Sequence, residues 1–142
     1  GIVGAVGNNG VGVSGVAQRT RIMALKFMDA QGVGYASNAI RAIDYALANG
    51  AKVINLSWGG GPYNPLLEQA LRRAESAGAL VVAAAGNAGA ATPIYPAAYG
   101  AFNTAVLGVS ATTRNDTLAG WSNYGPGAKY AAPGESILST TL

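Results

Sequence analysis

Three glycine-rich stretches hold the residues whose types and spacing could do chemistry. Gly86-Asn87 stands directly after the apolar run Ala79 to Ala85. A glycine there lets a ligand approach the backbone, and the asparagine amide can donate to a developing oxyanion; Asn beside Gly is equally a common turn pair. Ser57-Trp58-Gly59-Gly60-Gly61 follows another apolar run. It reads as an extended edge that pairs with a peptide by strand addition, with Trp58 as an apolar wall beside bare backbone, or as a plain break between strand and helix. Asn8-Asn9 followed by Gly10-Val11-Gly12-Val13-Ser14-Gly15 offers an amide oxygen and backbone carbonyls, the hard ligands calcium takes, or a turn with Asn in left-handed geometry. The same stretch fits G-x-G-x-x-G with Asp29 further on. A dinucleotide site needs a helix there to meet the pyrophosphate, and Val16 to Met28 is too short to hold both a helix and a strand.

What is missing narrows the chemistry further. The sequence has no cysteine and no histidine, which excludes disulfides, thiol catalysis, imidazole bases and zinc held by His or thiolate. Chemistry done by this chain alone falls to Ser, Thr, Tyr, Lys, Asn and six carboxylates. No serine has an activating base within the chain, and G-x-S-x-G does not occur. Asp44, Glu68 and Glu75 fall on expected helices and read as solvated faces, while Asp29, at a strand end, reads as the cap of a turn or else as a functional carboxylate. Nine basic residues against six acidic give a net charge of +3, but the basic residues are scattered where a nucleic-acid groove needs them clustered. No run of apolar residues reaches the roughly 18 needed to cross a bilayer. Neither nucleic acid nor membrane is therefore an expected partner.

These stretches need a scaffold, and alternating elements supply one. The chain has 142 residues, 21 of them glycine and only 11% charged, which suits a buried core and excludes a disordered tail or a coiled coil. Arg21 to Met28 reads as a buried strand. A helix follows from a Ser37 N-cap, with Ile40, Ile43 and Leu47 on one face and Asn49-Gly50 ending it. Lys52 to Ser57 reads as a second strand. Asn64-Pro65 opens a second helix with Leu67, Ala70, Leu71 and Ala74 on its apolar face and Gly78 closing it, and Ala79 to Ala85 forms a third strand. Strand, helix, strand, helix, strand predicts an α/β fold, a parallel sheet with helices on both faces. In open sheets of this kind ligands sit at the carboxyl ends of the strands, here Asp29 to Gly34, Ser57 to Gly61 and Gly86 to Gly89.

Beyond Asn87, Thr92 to Pro96 reads as a loop, Ala105 to Val109 as another buried strand and Trp121 to Pro126 as a turn-rich stretch. No repeat, charge block or linker divides the chain. It opens on Gly1 in an apolar stretch with no cap or turn before it, and is expected to be a piece of a longer protein.

Read together and in order, these stretches resemble the middle of the subtilisin-like serine proteases, closest to the thermitase branch. The matching segments are Asn8-Asn9 through Gly15-Val16-Ala17, Lys26 to Gly34, Asn49 to Asn55 with Ser57-Trp58-Gly59-Gly60, Val81 to Gly89, Tyr95-Pro96-Ala97, Trp121-Ser122-Asn123-Tyr124-Gly125 and Ala131-Ala132-Pro133-Gly134. The resemblance implies a partial α/β/α three-layer domain. Residues 1–142 would be the central part of a peptidase catalytic domain, with its N- and C-terminal parts outside the sequence. It implies a secreted, extracellular endopeptidase with an Asp-His-Ser triad, none of whose members lies in this chain; alone, the chain is expected to be inactive.

The resemblance also implies roles by position. Asn87 matches the oxyanion donor. Gly32, Val33 and Gly34, with Ser57, Trp58 and Gly59, match the two segments that sandwich an extended peptide or protein substrate. Ala84, Ala85 and Gly86 match one wall of the pocket for the side chain before the scissile bond, and Ile94 falls near its base, where a branched residue should shorten it. Asn9 through its side chain, and Val6, Val11 and Val13 through carbonyls, match a structural calcium site whose other ligands lie upstream. A weaker cation site near Ala97 and Tyr99 is implied less directly, because the spacing from Tyr99 to Asn103 departs from the common pattern, as does Gln18 where proline is usual. A monomer is expected. Other readings are a catalytically inactive peptide-binding relative and a nucleotide-binding α/β domain.

Overall fold

Ala39, Ile43 and Ala46 recur at helical spacing and bury one face of helix α1 (Ala36–Ala48). The helix starts earlier than Ser37 would place it. Its N-cap is Tyr35, extended and without a side-chain cap bond, because the chain has just left a tight turn whose ends pair at Met28 and Gly34. Gly50, at φ +77°, closes the other end as expected. Strand β1 (Val53–Leu56) follows. Helix α2 (Pro65–Ser76) then begins as its sequence predicts: Asn64 Oδ1 accepts from the N–H groups of Leu66 and Leu67 at 2.9 and 3.1 Å, and Pro65 takes the first turn, where its missing N–H costs nothing. Gly78, at φ +67°, turns the chain into strand β2 (Leu80–Ala84). A 3-10 helix (Ala97–Ala101), strand β3 (Val106–Thr112) and strand β4 (Tyr130–Pro133) complete the order.

The computed structural model describes residues 1–140. Its sheet is parallel throughout, in the order β1-β2-β3-β4. Register pairs Ile54 with Val81, Leu56 with Ala83 and Val81 with Val106, so these side chains share one face. That face buries against Ile43 and Ala46 of α1, against Leu67, Ala70, Leu71 and Ala74 of α2, and against Ala97 and Tyr99. Both helices therefore lie on the same side of the sheet, tied by Arg73, whose Nε and Nη2 donate to the two Asp44 oxygens at 2.9 and 3.0 Å. This pair is half exposed, and such pairs contribute about 0–1 kcal/mol; the apolar stripe holds the layers. Val53, Asn55, Leu80 and Ala84 point to the other face and are exposed. Cover for that face is not among the described residues.

The α/β class and the parallel sheet are as the sequence predicts, but four particulars differ. The helices expected on both faces lie, among the described residues, on one face, because the apolar stripes of α1 and α2 meet the same side of the sheet. Arg21 to Met28 is not a strand: among the described residues its only ladder contact is the Met28–Gly34 bridge. An apolar run becomes a strand only when a neighbour takes its backbone groups, and none does here; Ile22 and Met23 are exposed while Leu25 packs on the core. Strand β4 was not expected, because a four-residue segment exposed throughout and ending in proline carries no hydrophobic signature. The chain also forms two compact units where no linker marks a division, Gly1–Ala24 with the segment from Ser136 onward, and Leu25–Glu135. Among its described residues the first unit buries only Gly15, and these bring almost no apolar surface to a core of their own.

Candidate functional site

The loops after β1 and β2 carry the predicted cleft residues. Adjacent parallel strands run about 4.8 Å apart, so the segments leaving their carboxyl ends start side by side. Between them returns the segment around Ile94. Its N–H donates to Ala85 carbonyl at 2.8 Å, and the next carbonyl, that of Tyr95, accepts from Gly60 N–H at 3.0 Å. The packing is close on both sides. A Cβ on Gly59 would lie 2.5 Å from Ile94 Cδ1, and a Cβ on Gly86 would lie 3.2 Å from Ile94 Cγ1. Gly59, Gly86 and Ile94 are thus brought together, with Ala84 and Ala85 on the strand that leads to Gly86.

Trp58 packs partly on the core and meets Phe27 edge-on, ring centroids 5.0 Å apart. Such an aromatic pair is worth about 0.5–1.5 kcal/mol beyond its buried area. Through it the segment that leads into Gly32, Val33 and Gly34 is placed beside the Ser57–Gly59 loop. Asp29 shapes that segment: its Oδ1 accepts from Gln31 and Val33 N–H at 3.0 and 2.9 Å. Asp29 is the turn cap the sequence suggests. Ser57 Oγ accepts from Asn55 Nδ2 at 2.9 Å.

Asn87 is exposed, and its side-chain amide makes no hydrogen bond among the described residues, so both of its N–H donors are free for a ligand. Its surroundings are fixed by a residue that sequence reasoning passed over. Asn123, 1% exposed, accepts at Oδ1 from Ala88 and Ala90 N–H at 2.8 and 3.1 Å and donates from Nδ2 to Thr92 carbonyl at 3.1 Å. The sequence shows Asn123 only as one polar residue in a turn-rich stretch, and burial of a turn residue leaves no mark in the pattern.

A second unexpected anchor is Tyr99. Its hydroxyl donates to Asn64 carbonyl at 2.8 Å and accepts from Asn64 N–H at 3.0 Å, fixing the start of α2. Its ring packs against Tyr95, the neighbour of Ile94, with centroids 4.5 Å apart and planes tilted by 54°. Burial pushes the Tyr99 phenol above its ordinary pKa. The helix carboxylates are not merely solvated. Thr104 hydroxyl and N–H hold Glu75 below the usual carboxylate range, and Tyr63 hydroxyl, then Arg72, do the same for Glu68.

In the N-terminal unit Asn8, Gly10 and Gly12 adopt φ of +58°, +72° and +62°, a curl open to glycine and tolerated by asparagine. The loop is closed at its neck by Gly15 N–H donating to Ala5 carbonyl at 3.0 Å, and it surrounds a concavity of about 270 Å³ lined by Val6 to Ser14. Asn9 Oδ1 already accepts from Val11 N–H at 3.1 Å and keeps a lone pair. The four donors at Val6, Asn9, Val11 and Val13 are hard neutral oxygens, suited to calcium but short of its usual 6–8 ligands. No helix follows Gly15 before α1, which removes the structural context a dinucleotide site requires.

The arrangement brings the loops that leave two adjacent parallel strands together around Ile94, with the exposed Asn87 amide unpartnered among the described residues. Sequence comparison agrees with it over the full length. The profile of the subtilase family matches residues 1–142. The thermophilic serine proteinase of Bacillus sp. (strain AK1) is 44% identical over 140 residues, covering 99% of this chain and 34% of that protein. Thermitase of Thermoactinomyces vulgaris is 43% identical over 140 residues, 99% of this chain and 49% of its own length. Subtilisin Savinase of Lederbergia lenta is 41% identical over 133 residues, 94% and 48% respectively. The chain thus spans a third to a half of these relatives. With the order and spacing of its segments and its parallel sheet all in agreement, the chain belongs to the subtilase family.

Proposed function

We propose that the protein containing this chain is a secreted serine endopeptidase, and that these residues form its substrate cleft and one oxyanion donor. The observation that carries the reading is the unpartnered Asn87 amide on a braced loop beside the Gly59–Ile94–Gly86 contact. An extended peptide lies between the Gly32–Gly34 and Ser57–Gly59 segments, pairing with their backbone as a strand would. The side chain before the scissile bond enters the pocket walled by Ala84, Ala85 and Gly86, with Ile94 at its base. A serine hydroxyl attacks the scissile carbonyl while a histidine takes its proton; the new oxyanion accepts from the Asn87 amide, and the histidine returns the proton to the leaving amine. Water then releases the acyl group by the same steps. This chain has no histidine, so the triad is supplied by residues outside it.

Val6, Asn9, Val11 and Val13 are assigned to a structural calcium ion, which stabilises the loop and takes no part in the chemistry. The partner is an extended peptide or protein, the enzyme acts as a monomer outside the cell, and neither nucleic acid nor membrane enters the reading. Extracellular action agrees with a relative named minor extracellular protease from Bacillus subtilis (strain 168), 38% identical over 143 residues.

The test is Asn87→Ala in the full-length protein, assayed on peptide substrates. The expected result is a fall in kcat with KM little changed; loss of one such donor in subtilisin costs about 10²–10³, a figure that belongs to that relative. Unchanged kcat would remove Asn87 from the reaction. Ile94 adds a specificity test: cleavage after Phe should be weaker than after Ala, and Ile94→Ala should narrow the gap.

A further inference from the structure

We infer that Asn123 is a positioning residue for the oxyanion donor, holding the Asn87 loop so that its free amide is aimed before substrate arrives. The inference rests on the reading of Asn87 above. Residues 86–92 include Gly86 at φ +115° and Gly89 at φ +63°, and a loop with two such glycines has much conformational freedom to lose. Both neighbours of Asn87 are nonetheless fixed, and by the same residue. Gly86 carbonyl accepts from Asn123 N–H at 2.9 Å, and Ala88 N–H donates to Asn123 Oδ1 at 2.8 Å. Further along, Ala90 N–H shares that oxygen and Thr92 carbonyl takes the Nδ2 proton. One buried amide therefore spans the loop while the Asn87 side chain stays unengaged among the described residues.

Asn123 is itself held in place. Its carbonyl accepts from Ser110 Oγ on β3 at 2.8 Å and from Ser122 Oγ at 3.0 Å. On either side of it, Gly89 N–H donates to Trp121 carbonyl at 2.8 Å and Tyr124 N–H to Ala90 carbonyl at 3.0 Å. The loop is thereby referenced to the sheet, the rigid part of the fold. Gly86 records how close the approach is, since a Cβ there would lie 2.6 Å from Asn123 Nδ2.

The experiment is a double-mutant cycle in the full-length protein with steady-state kinetics on a small peptide amide. Asn123→Ala is expected to lower kcat by roughly 10- to 100-fold, the scale on which about an ångström of misplacement costs rate. KM should move far less. In the Asn87→Ala background the same substitution should lower kcat by less than about threefold, because the group it positions is gone and coupled residues are not additive. A purely structural role predicts the full loss in both backgrounds, and that result overturns the inference while leaving Asn87 as donor. If Asn87→Ala alone has no effect, the reading of Asn87 falls, and the positioning role with it. Should Asn123→Ala fail to fold, Asn123→Asp, which keeps the acceptor for Ala88 and Ala90 N–H, goes through the same cycle. There too, loss confined to the Asn87-containing background supports positioning and equal loss in both overturns it.

Discussion

Gly59 tests the convergence of the cleft loops without any assumption about catalysis. In Gly59→Ala the new methyl would lie 2.5 and 2.8 Å from Ile94 Cδ1 and Cγ1 and 2.7 Å from Tyr95 carbonyl oxygen. The isoleucine can yield by changing rotamer. The carbonyl cannot, because Gly60 N–H holds it at 3.0 Å. Overpacking of this kind costs about 1–3 kcal/mol, and the stiffer unfolded chain offsets about 0.4–1, leaving a net loss of roughly 0–2.6 kcal/mol. Gly120 is the matched control: a Cβ there meets nothing within 4 Å, and its φ is not positive. Gly120→Ala should therefore be neutral or gain about 0.4–1 kcal/mol. Ile94→Ala removes two of the three close contacts, so the Gly59→Ala, Ile94→Ala double variant should be more stable than the sum of the singles by at least about 0.5 kcal/mol. Urea unfolding followed by tryptophan fluorescence reads all four. Equal stability of the two Gly→Ala variants, or strict additivity of the pair, would mean that the loop after β1 does not rest on Ile94.

Glu75 and Glu68 have folded pKa values below the unfolded value of about 4.3, so their contribution is complete above that pH and is lost as pH falls through the lower folded values. Glu75→Gln and Glu68→Gln should flatten the acid limb of a stability–pH curve measured by urea unfolding; parallel limbs would refute the assignment. Tyr99 runs the other way, its raised pKa giving stability that is whole below about pH 10 and lost as pH rises through the folded value. Tyr99→Phe should remove that alkaline loss, and at neutral pH it should cost about 1–3 kcal/mol by stranding Asn64 N–H and carbonyl. For calcium, chelation should lower the Tm of the full-length protein, since ligand at 100 times its Kd adds about 2.7 kcal/mol. Asn9→Ala should shrink the difference, and a Tm indifferent to chelation would rule the site out.

Legibility in the sequence followed the physics of each segment. Helix α2 announced both its ends because Asn64-Pro65 and Gly78 are local devices, each sufficient where it stands. Strands β1, β2 and β3 were readable as short apolar runs bounded by glycine or asparagine. Arg21 to Met28 looked the same and is not a strand, since strand formation depends on a neighbour that composition does not reveal. The cleft loops were legible because glycine marks close approach. Asn123 and Tyr99 were not: their roles come from burial and from partners more than thirty residues away, and a lone Asn or Tyr has no periodicity to betray it.

The distribution of residue types explains how two loops can converge at this edge of the sheet. Consecutive parallel strands β1 and β2 deliver their loops to one edge, and close contact there is limited by side-chain bulk, so glycine occupies both facing positions, 59 and 86. Glycine at those positions frees the backbone and would leave the loops loose. Neutral hydrogen bonds restore order: Asn123 across residues 86–92, Gly60 on Tyr95, and Tyr99 on the start of α2. None of these groups carries a charge, so the Asn87 amide acts in a field set by dipoles whose directions do not change as a proton moves elsewhere. On the proposed reading of Asn87, preorganised neutral donors of this kind stabilise a developing anion without reorganising when the charge appears, and that makes the rigidity of the loop, rather than the acidity of any one group, the property on which the proposed role depends.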